Sequence, residues 1–249
     1  MTRKNNNLIV IGTDTGVGKT VLSLLLMQFF YSEGENPFYL KLIQSGCTNA
    51  YDTDSDAQFI YQHVTALKKK DPADSIIYCY KNPKAPYFAA RDEGQVIDVE
   101  LIREVVNKKT SLYSIVIMEA AGGLLVPVTE KLLNIDMIEF TGATPVVVAR
   151  AGLGTINHTL LTLEILNNRK IDPLGVVFID AGKEGTDEHM LRENMECIEK
   201  FSGIQVSGVI RKIHDFSKPE RGFYLPLERL LDKQVGRNQN KTKNELEKI

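Results

Sequence analysis

The chain offers little from which to build a disulfide framework, a membrane anchor or a polyelectrolyte surface. Only three of its 249 residues are cysteine, Cys47, Cys79 and Cys197. They are odd in number, far apart in sequence and form no CxxC pair, which excludes a cysteine-stapled scaffold and reads as free thiols in a reducing compartment. No stretch approaches the roughly 20 consecutive apolar residues of a membrane helix. The apolar run that follows the polar segment Met1 to Asn7 is too short for a signal-peptide core, so a cytoplasmic location is expected. The formal net charge is -2, so no one-signed field argues for nucleic acid or a membrane surface as partner. No internal repeat is present. What remains is an ordinary globular composition, 43% hydrophobic and 25% charged, in a chain long enough to bury a real core without staples. One α/β domain over residues 1–232 is expected, with a polar and mobile tail over 233–249.

Short apolar runs alternate with helical patterns. Leu8 to Ile11, Ser114 to Met118, Pro145 to Ala149, Leu174 to Phe178 and Val206 to Ile210 read as strands of a parallel sheet buried on both faces, and Phe38 to Leu40 as a further strand. Val21 to Tyr31, Asp54 to Thr65, Thr155 to Asn167 and Glu188 to Phe201 read as helices, the first ending near Gly34. This alternation implies βαβ units and a mostly parallel central sheet with helices on both faces. Lys68 to Tyr80 fits neither pattern well.

The most informative segment is Gly12-Thr13-Asp14-Thr15-Gly16-Val17-Gly18-Lys19-Thr20, which leaves a buried strand and opens a helix. Glycines there let the backbone approach phosphate, and successive N–H groups together with the helix N-terminus favour an anion. Lys19 suits neutralisation of β/γ-phosphate charge, and the Thr20 hydroxyl suits a magnesium ion. The strict G-x-x-x-x-G-K-T spacing asks for glycine at position 13, where Thr13 stands, so this phosphate loop is a variant. Magnesium asks for one or two carboxylates besides phosphate and water. Glu119 follows the run Ile115 to Met118 at the carboxyl edge of the sheet, where ligands bind in open α/β folds. Asp54 reads as a helix N-cap. Asp56, just after it, reads equally as a metal ligand or a solvated first-turn carboxylate. From spacing alone, Lys41 reads as a solvated lysine at a strand end.

These segments together resemble the dethiobiotin synthetase family over roughly Leu8 to Ile210. The loop Gly12 to Thr20 is similar to that family's own, wider glycine spacing included. Lys41-Leu42-Ile43-Gln44-Ser45-Gly46 resembles its lysine segment, Ser55-Asp56-Ala57 its magnesium aspartate, and Met118-Glu119-Ala120-Ala121-Gly122-Gly123 its V-E-G-A-G-G segment with Ala120 in place of a glycine. Gly152-Leu153-Gly154-Thr155-Ile156-Asn157-His158 resembles its L-G-x-I-N-H segment. The resemblance implies a P-loop enzyme that uses ATP and Mg2+ to carboxylate 7,8-diaminononanoate with CO2 and to close a cyclic urea. It implies nucleotide contacts from Gly12 to Thr20 and from Ile179 and Asp180, and a metal held by Thr20, Asp56 and Glu119. It also implies catalytic cations at Lys19 and Lys41, with Thr15 and Ser45 toward the carbamate or amines. Further substrate contacts are implied for Gly122, Leu153, Gly154, Thr155 and Asn157, the last four across a homodimer. His158 receives no role.

The chain departs from the family at three points. Ile179 stands where an asparagine usually reads the adenine edge, Arg211-Lys212 where a proline follows the last strand, and Gly16 where some members carry an acid. ATP is therefore the expected default, with use of GTP or CTP left open. The rival readings are a cobyrinate amide synthase-like ligase, which asks for a glutaminase cysteine, a ParA-like switch, which asks for a lysine early in the loop, and a non-catalytic nucleotide binder.

Overall fold

The sheet is built by strands whose neighbours in sequence face opposite cores. In β1 (Leu8–Gly12), Ile9 and Ile11 face one hydrophobic layer while Leu8 and Val10 face the other. The same split holds in β5 (Thr144–Arg150), with Val147 and Ala149 against Val146 and Val148. A strand in such a position must be apolar throughout, because side chains alternate and both faces are covered. The computed structural model describes residues 7–182 and 184–232. The expected tail over 233–249 lies outside the described residues.

Seven strands form one sheet in the order β3-β2-β4-β1-β5-β6-β7, and every pairing is parallel. The others are β2 (Pro37–Ser45), β3 (Ile76–Tyr80), β4 (Ile115–Gly123), β6 (Val176–Asp180) and β7 (Val206–Arg211). Helices α1 (Lys19–Ser32) and α2 (Asp56–His63) pack on the face of Leu8 and Val10. On the other face lie α3 (Pro86–Asp92), α4 (Val99–Leu112), α5 (Asn134–Thr141), α6 (Thr155–Asn168) and α7 (Glu188–Ser202). Among the described residues no helix is long and apolar enough to cross a membrane.

Several sequence expectations shift. The second strand is nine residues long, so Lys41 and Ser45 lie within β2 and not after it. Glu119 lies within β4, directly opposite Lys41 in the ladder. The stretch from Lys68 to Tyr80 holds a 3-10 turn at Pro72–Ser75 and then the edge strand β3, whose residues are mostly half-buried and show no clean alternation. The second helix starts at Asp56, because the Ser55 hydroxyl, and not Asp54, caps it by accepting from the Gln58 amide at 3.4 Å.

Helices α1 and α6 open on a glycine, without a side-chain cap. Gly18 before α1 (φ 98°) and Gly154 before α6 (φ 90°) sit in the left-handed region. The first-turn amides of α1 therefore face an anion-receptive edge. By contrast, Asp98 and Asp187 cap α4 and α7 by accepting amide hydrogens at 2.9 Å.

Candidate active site

Because all seven strands run the same way, their carboxyl ends deliver side chains to one edge. A cavity of about 950 Å³ opens there, between the loop after β1 and the ends of β2, β4, β5 and β6. Its walls include Thr15 to Thr20, Lys41, Ser45, Asp56, Glu119, Gly122, Leu153, Ile179 and Asp180.

The loop wraps tightly around Lys19. The Lys19 ammonium donates to the Asp14 carbonyl at 3.0 Å, and Thr13 ties the loop to β5 by donating its amide to the Val148 carbonyl at 2.9 Å. A Cβ on Gly12 would come within 2.6 Å of the Asp14 carbonyl and 3.0 Å of Lys19 Nζ, so only glycine lets the lysine fold back. Gly16 meets nothing and Val17 is buried. Burial lowers the Lys19 ammonium to about 8, with Lys41 pushing the same way and the carboxylates of Glu119, Asp56 and Asp14 opposing.

Lys41 is not a solvated lysine. It is 4% exposed and bridges Asp56 Oδ2 at 2.6 Å and Glu119 Oε1 at 2.7 Å. Burial alone would lower its pKa, but the two carboxylates outweigh it and hold the ammonium above its usual value. The same lysine outweighs desolvation at Asp56 and keeps that carboxyl below its usual range. Thr20 completes the group, with its Oγ1 2.8 Å from Asp56 Oδ1 and 3.0 Å from Glu119 Oε1. These are hard oxygens on two carboxylates and a hydroxyl. That donor set fits magnesium, which completes its shell with water and phosphate. Among the described residues no cluster of three His, Cys, Asp or Glu side chains competes as an all-protein metal cage.

The sequence reading missed the residues that hold this group in place. Glu119 Oε2 accepts from the Ser23 hydroxyl at 2.9 Å and the Tyr39 hydroxyl at 3.0 Å, leaving Oε1 to Lys41 and Thr20. Burial, and then Glu119, raise the Tyr39 phenol well above its usual value. Gln44 Oε1 accepts the Asp56 amide at 3.2 Å, and Asn134 pins the loop end of β4 by donating to the carbonyls of Ala121 and, at 2.9 Å, Gly123. Arg150 crosses the outside of the loop and donates to the Thr15 carbonyl at 3.2 Å. Ser23 carried no motif signal, and Gln44 lay in the lysine segment without a role assigned to it. Tyr39 did carry a signal, since it points to the same side as Lys41 two residues on.

At the far end, Ile179 packs against Gly18, where a Cβ would come within 2.7 Å of it. Both Asp180 oxygens are already engaged, by the amide (2.8 Å) and hydroxyl (3.0 Å) of Thr186 and by Arg211 at 2.8 Å. Arg211 thus closes the loop over Asp180 and also pairs with Glu188. Leu153 reaches the cavity rim at 95% exposure. Gly154, Thr155 and Asn157 do not line this cavity. Gly154 and Asn157 edge a second hollow of about 780 Å³, and Thr155 is buried against Thr159.

A glycine-rich loop after the central strand, a lysine and threonine opening the next helix and a carboxylate on the neighbouring strand define a P-loop nucleotide-binding protein. Solved structures agree at the level of fold. The MinC:MinD cell division complex of Aquifex aeolicus superposes with a TM-score of 0.57 at 14% identity, covering 93% of this chain and 96% of that one. The cell division ATPase MinD of Pyrococcus furiosus gives 0.55 at 13%, covering 92% and 99%. A family model described as an AAA domain matches residues 6–220. Relatives in sequence are named ATP-dependent dethiobiotin synthetase BioD. That of a Hydrogenobaculum species is 39% identical over 68% of this chain and 75% of its own length. That of Methanococcus vannielii is 31% identical over 84% and 95%, and that of Methanocaldococcus jannaschii 34% over 84% and 95%. The chain belongs to the dethiobiotin synthetase family, a family of ATP-using ligases within the P-loop class.

Proposed function

We propose that the chain carboxylates 7,8-diaminononanoate with CO2 and closes the ureido ring at the expense of ATP, giving dethiobiotin, ADP and phosphate. The observation that carries the reading is the convergence of Lys19, Lys41, Thr20, Asp56 and Glu119 at the mouth of one cavity. A carbamate is an anion that must approach a more highly charged phosphate, so gathered cations and fixed dipoles do most of the work. Lys19 and the free amides of the loop hold the phosphates. Lys41 holds the carbamate. Thr15 and Ser45 orient the amines or the carbamate, and Gly122 leaves room for the chain beside Thr15. Thr20, Asp56 and Glu119 would hold Mg2+, which supplies charge balance to the nucleotide phosphates. The bound nucleotide supplies the phosphoryl group that turns the carbamate oxygen into a leaving group for attack by the second amine. No side chain acts as a covalent nucleophile.

The protein works as a cytoplasmic homodimer in this reading. Leu153, Gly154 and Asn157 then serve the substrate carboxylate in the partner's site, with Thr155 buried behind them, which is supported by the 95% exposure of Leu153 and by Gly154 and Asn157 lying outside their own chain's cavity. The Ile179 side chain offers no hydrogen bond and the Asp180 carboxylate is already held by Thr186 and Arg211, so base discrimination is weak. The test is phosphate release with magnesium, bicarbonate and 7,8-diaminononanoate, run in parallel with ATP, GTP and CTP. Diamine-dependent release supports the reaction, and release indifferent to the diamine with every nucleotide overturns it.

A further inference from the structure

We infer that Cys47 and Cys79 form a redox-active dithiol that exchanges with low-molecular-weight disulfides and, when oxidised, cross-links two walls of the cavity. The two residues are 32 apart in sequence, yet their sulfurs lie 3.1 Å apart. The closeness is set by backbone pairing. In the β2–β3 ladder Gln44 stands opposite Cys79 and Ser45 opposite Tyr80, and the amides of Gly46 and Cys47 both donate to the Tyr80 carbonyl, at 2.9 and 3.3 Å. A disulfide needs about 2.05 Å between sulfurs, so closure asks for an approach of roughly 1 Å, within the reach of side-chain rotation.

Cys79 is half-buried while Cys47 is 3% exposed, so exchange starts at Cys79. Cys79 gives up its proton and its sulfur attacks one sulfur of the incoming disulfide, releasing one small thiol and leaving a mixed disulfide. Cys47 then gives up its proton, attacks Cys79 Sγ and releases the second thiol. Two electrons and two protons leave the pair and end on the two small thiols. Burial raises both thiols, Cys47 to about 12, which keeps the thiolate fraction small and makes the exchange slow.

What the bond would join gives the site its meaning. Cys47 begins the limb that runs from Ser45 to Asp56, braced where Asp52 Oδ2 accepts from the amide and hydroxyl of Thr48 at 3.1 and 2.6 Å. Cys79 leads into the limb of Pro83 and Lys84, which also lines the cavity and lies directly beside Gly46. Oxidation ties these limbs together, whatever substrate the cavity takes.

The test uses the full chain equilibrated across a series of reduced and oxidised glutathione, acid-quenched, unfolded, alkylated with N-ethylmaleimide and weighed intact. The expected result is a fall from three alkylated thiols to one, carried by Cys197, that dithiothreitol reverses. A non-reduced digest should yield a peptide joining Cys47 to Cys79, and the oxidised protein should melt about 5–10 °C higher. Cys47→Ser should trap glutathione on Cys79, and Cys79→Ser should keep its remaining thiols and show no rise in melting temperature. Three alkylated thiols across the whole series, or a stable glutathione adduct on Cys79 of the parent chain, would overturn the inference.

Discussion

Replacing Lys41 with methionine removes one buried ammonium and leaves its volume nearly unchanged. In the parent that ammonium lies 2.6 Å from Asp56 and 2.7 Å from Glu119, whose side chains are 24% and 1% exposed. Removing one partner of a buried ion pair costs about 3–5 kcal/mol, because the remaining charges stay buried without a counterion. In a chain of this size about 1 kcal/mol moves the melting temperature by roughly 2–4 °C. Asp56 keeps a quarter of its side chain in water, so the expected loss lies in the lower half of that range, about 3–4 kcal/mol or roughly 6–16 °C. Millimolar magnesium should return part of it in the variant and change the parent less, since a divalent cation can stand between the same carboxylates. The pH dependence follows from sign. Lys41 is raised, so its contribution is fully present below the ordinary lysine value and flat between pH 6 and 10. Asp56 is lowered, so its contribution is present above the ordinary aspartate value and fades as pH falls through its folded value. The gap between variant and parent should therefore hold down to about pH 4 and narrow only below it. Thermal melts with and without magnesium check this. A variant that melts within about 2 °C of the parent at pH 7.5, with no magnesium effect, would refute the idea that Lys41 neutralises this carboxylate pair.

Three further outcomes are expected. Tyr39→Phe deletes a hydrogen bond to Glu119 Oε2 without touching the cavity wall. Loss of about 1.5–3 kcal/mol is expected from a bond to a charged group, seen as a lower melting temperature together with a higher magnesium requirement in phosphate-release titrations. Gly12→Ala forces a methyl group against the Asp14 backbone carbonyl and Lys19 Nζ, so nucleotide binding by equilibrium dialysis should fall at least about 100-fold and the free protein should also melt lower, because the buried loop backbone must shift. Lys19 sits near 8, so phosphate should raise it and nucleotide binding should take up a proton above pH 8. Calorimetry in two buffers of different ionisation enthalpy reads that uptake, and an uptake unchanged in Lys19→Met would assign it elsewhere.

The parallel sheet was legible because strands buried on both faces must be continuously apolar, as Leu8 to Ile11 and Pro145 to Ala149 are. The phosphate loop was legible because its glycines and Lys19 are adjacent in the chain. Edge strand β3 was not, since Ile76 to Cys79 are all half-buried and show no alternation. The amphipathic helix α4 was readable in principle, with Asp98 as cap and Ile102 and Val106 one turn apart on the buried side, and passed unplaced because its other positions are polar. The neighbours of Glu119 were hidden for a different reason. Ser23, Tyr39 and Lys41 lie 96, 80 and 78 residues from it, and only the strand order brings β2 and α1 to its side. The same holds for Cys47 and Cys79, which spacing alone left as unrelated thiols.

The split of the sheet into two packing layers divides the labour of the molecule. Tyr39, Lys41 and Glu119 are in phase with Leu8 and Val10, on the side of α1 and α2, so the charged machinery is grafted onto one layer only. The opposite layer, under α4 to α7, is mostly apolar along the strands and supports the site only at its edge, through Asn134 of α5. A chain adapting to heat or cold can revise that second layer position by position, and the chemistry on the first is spared the consequences.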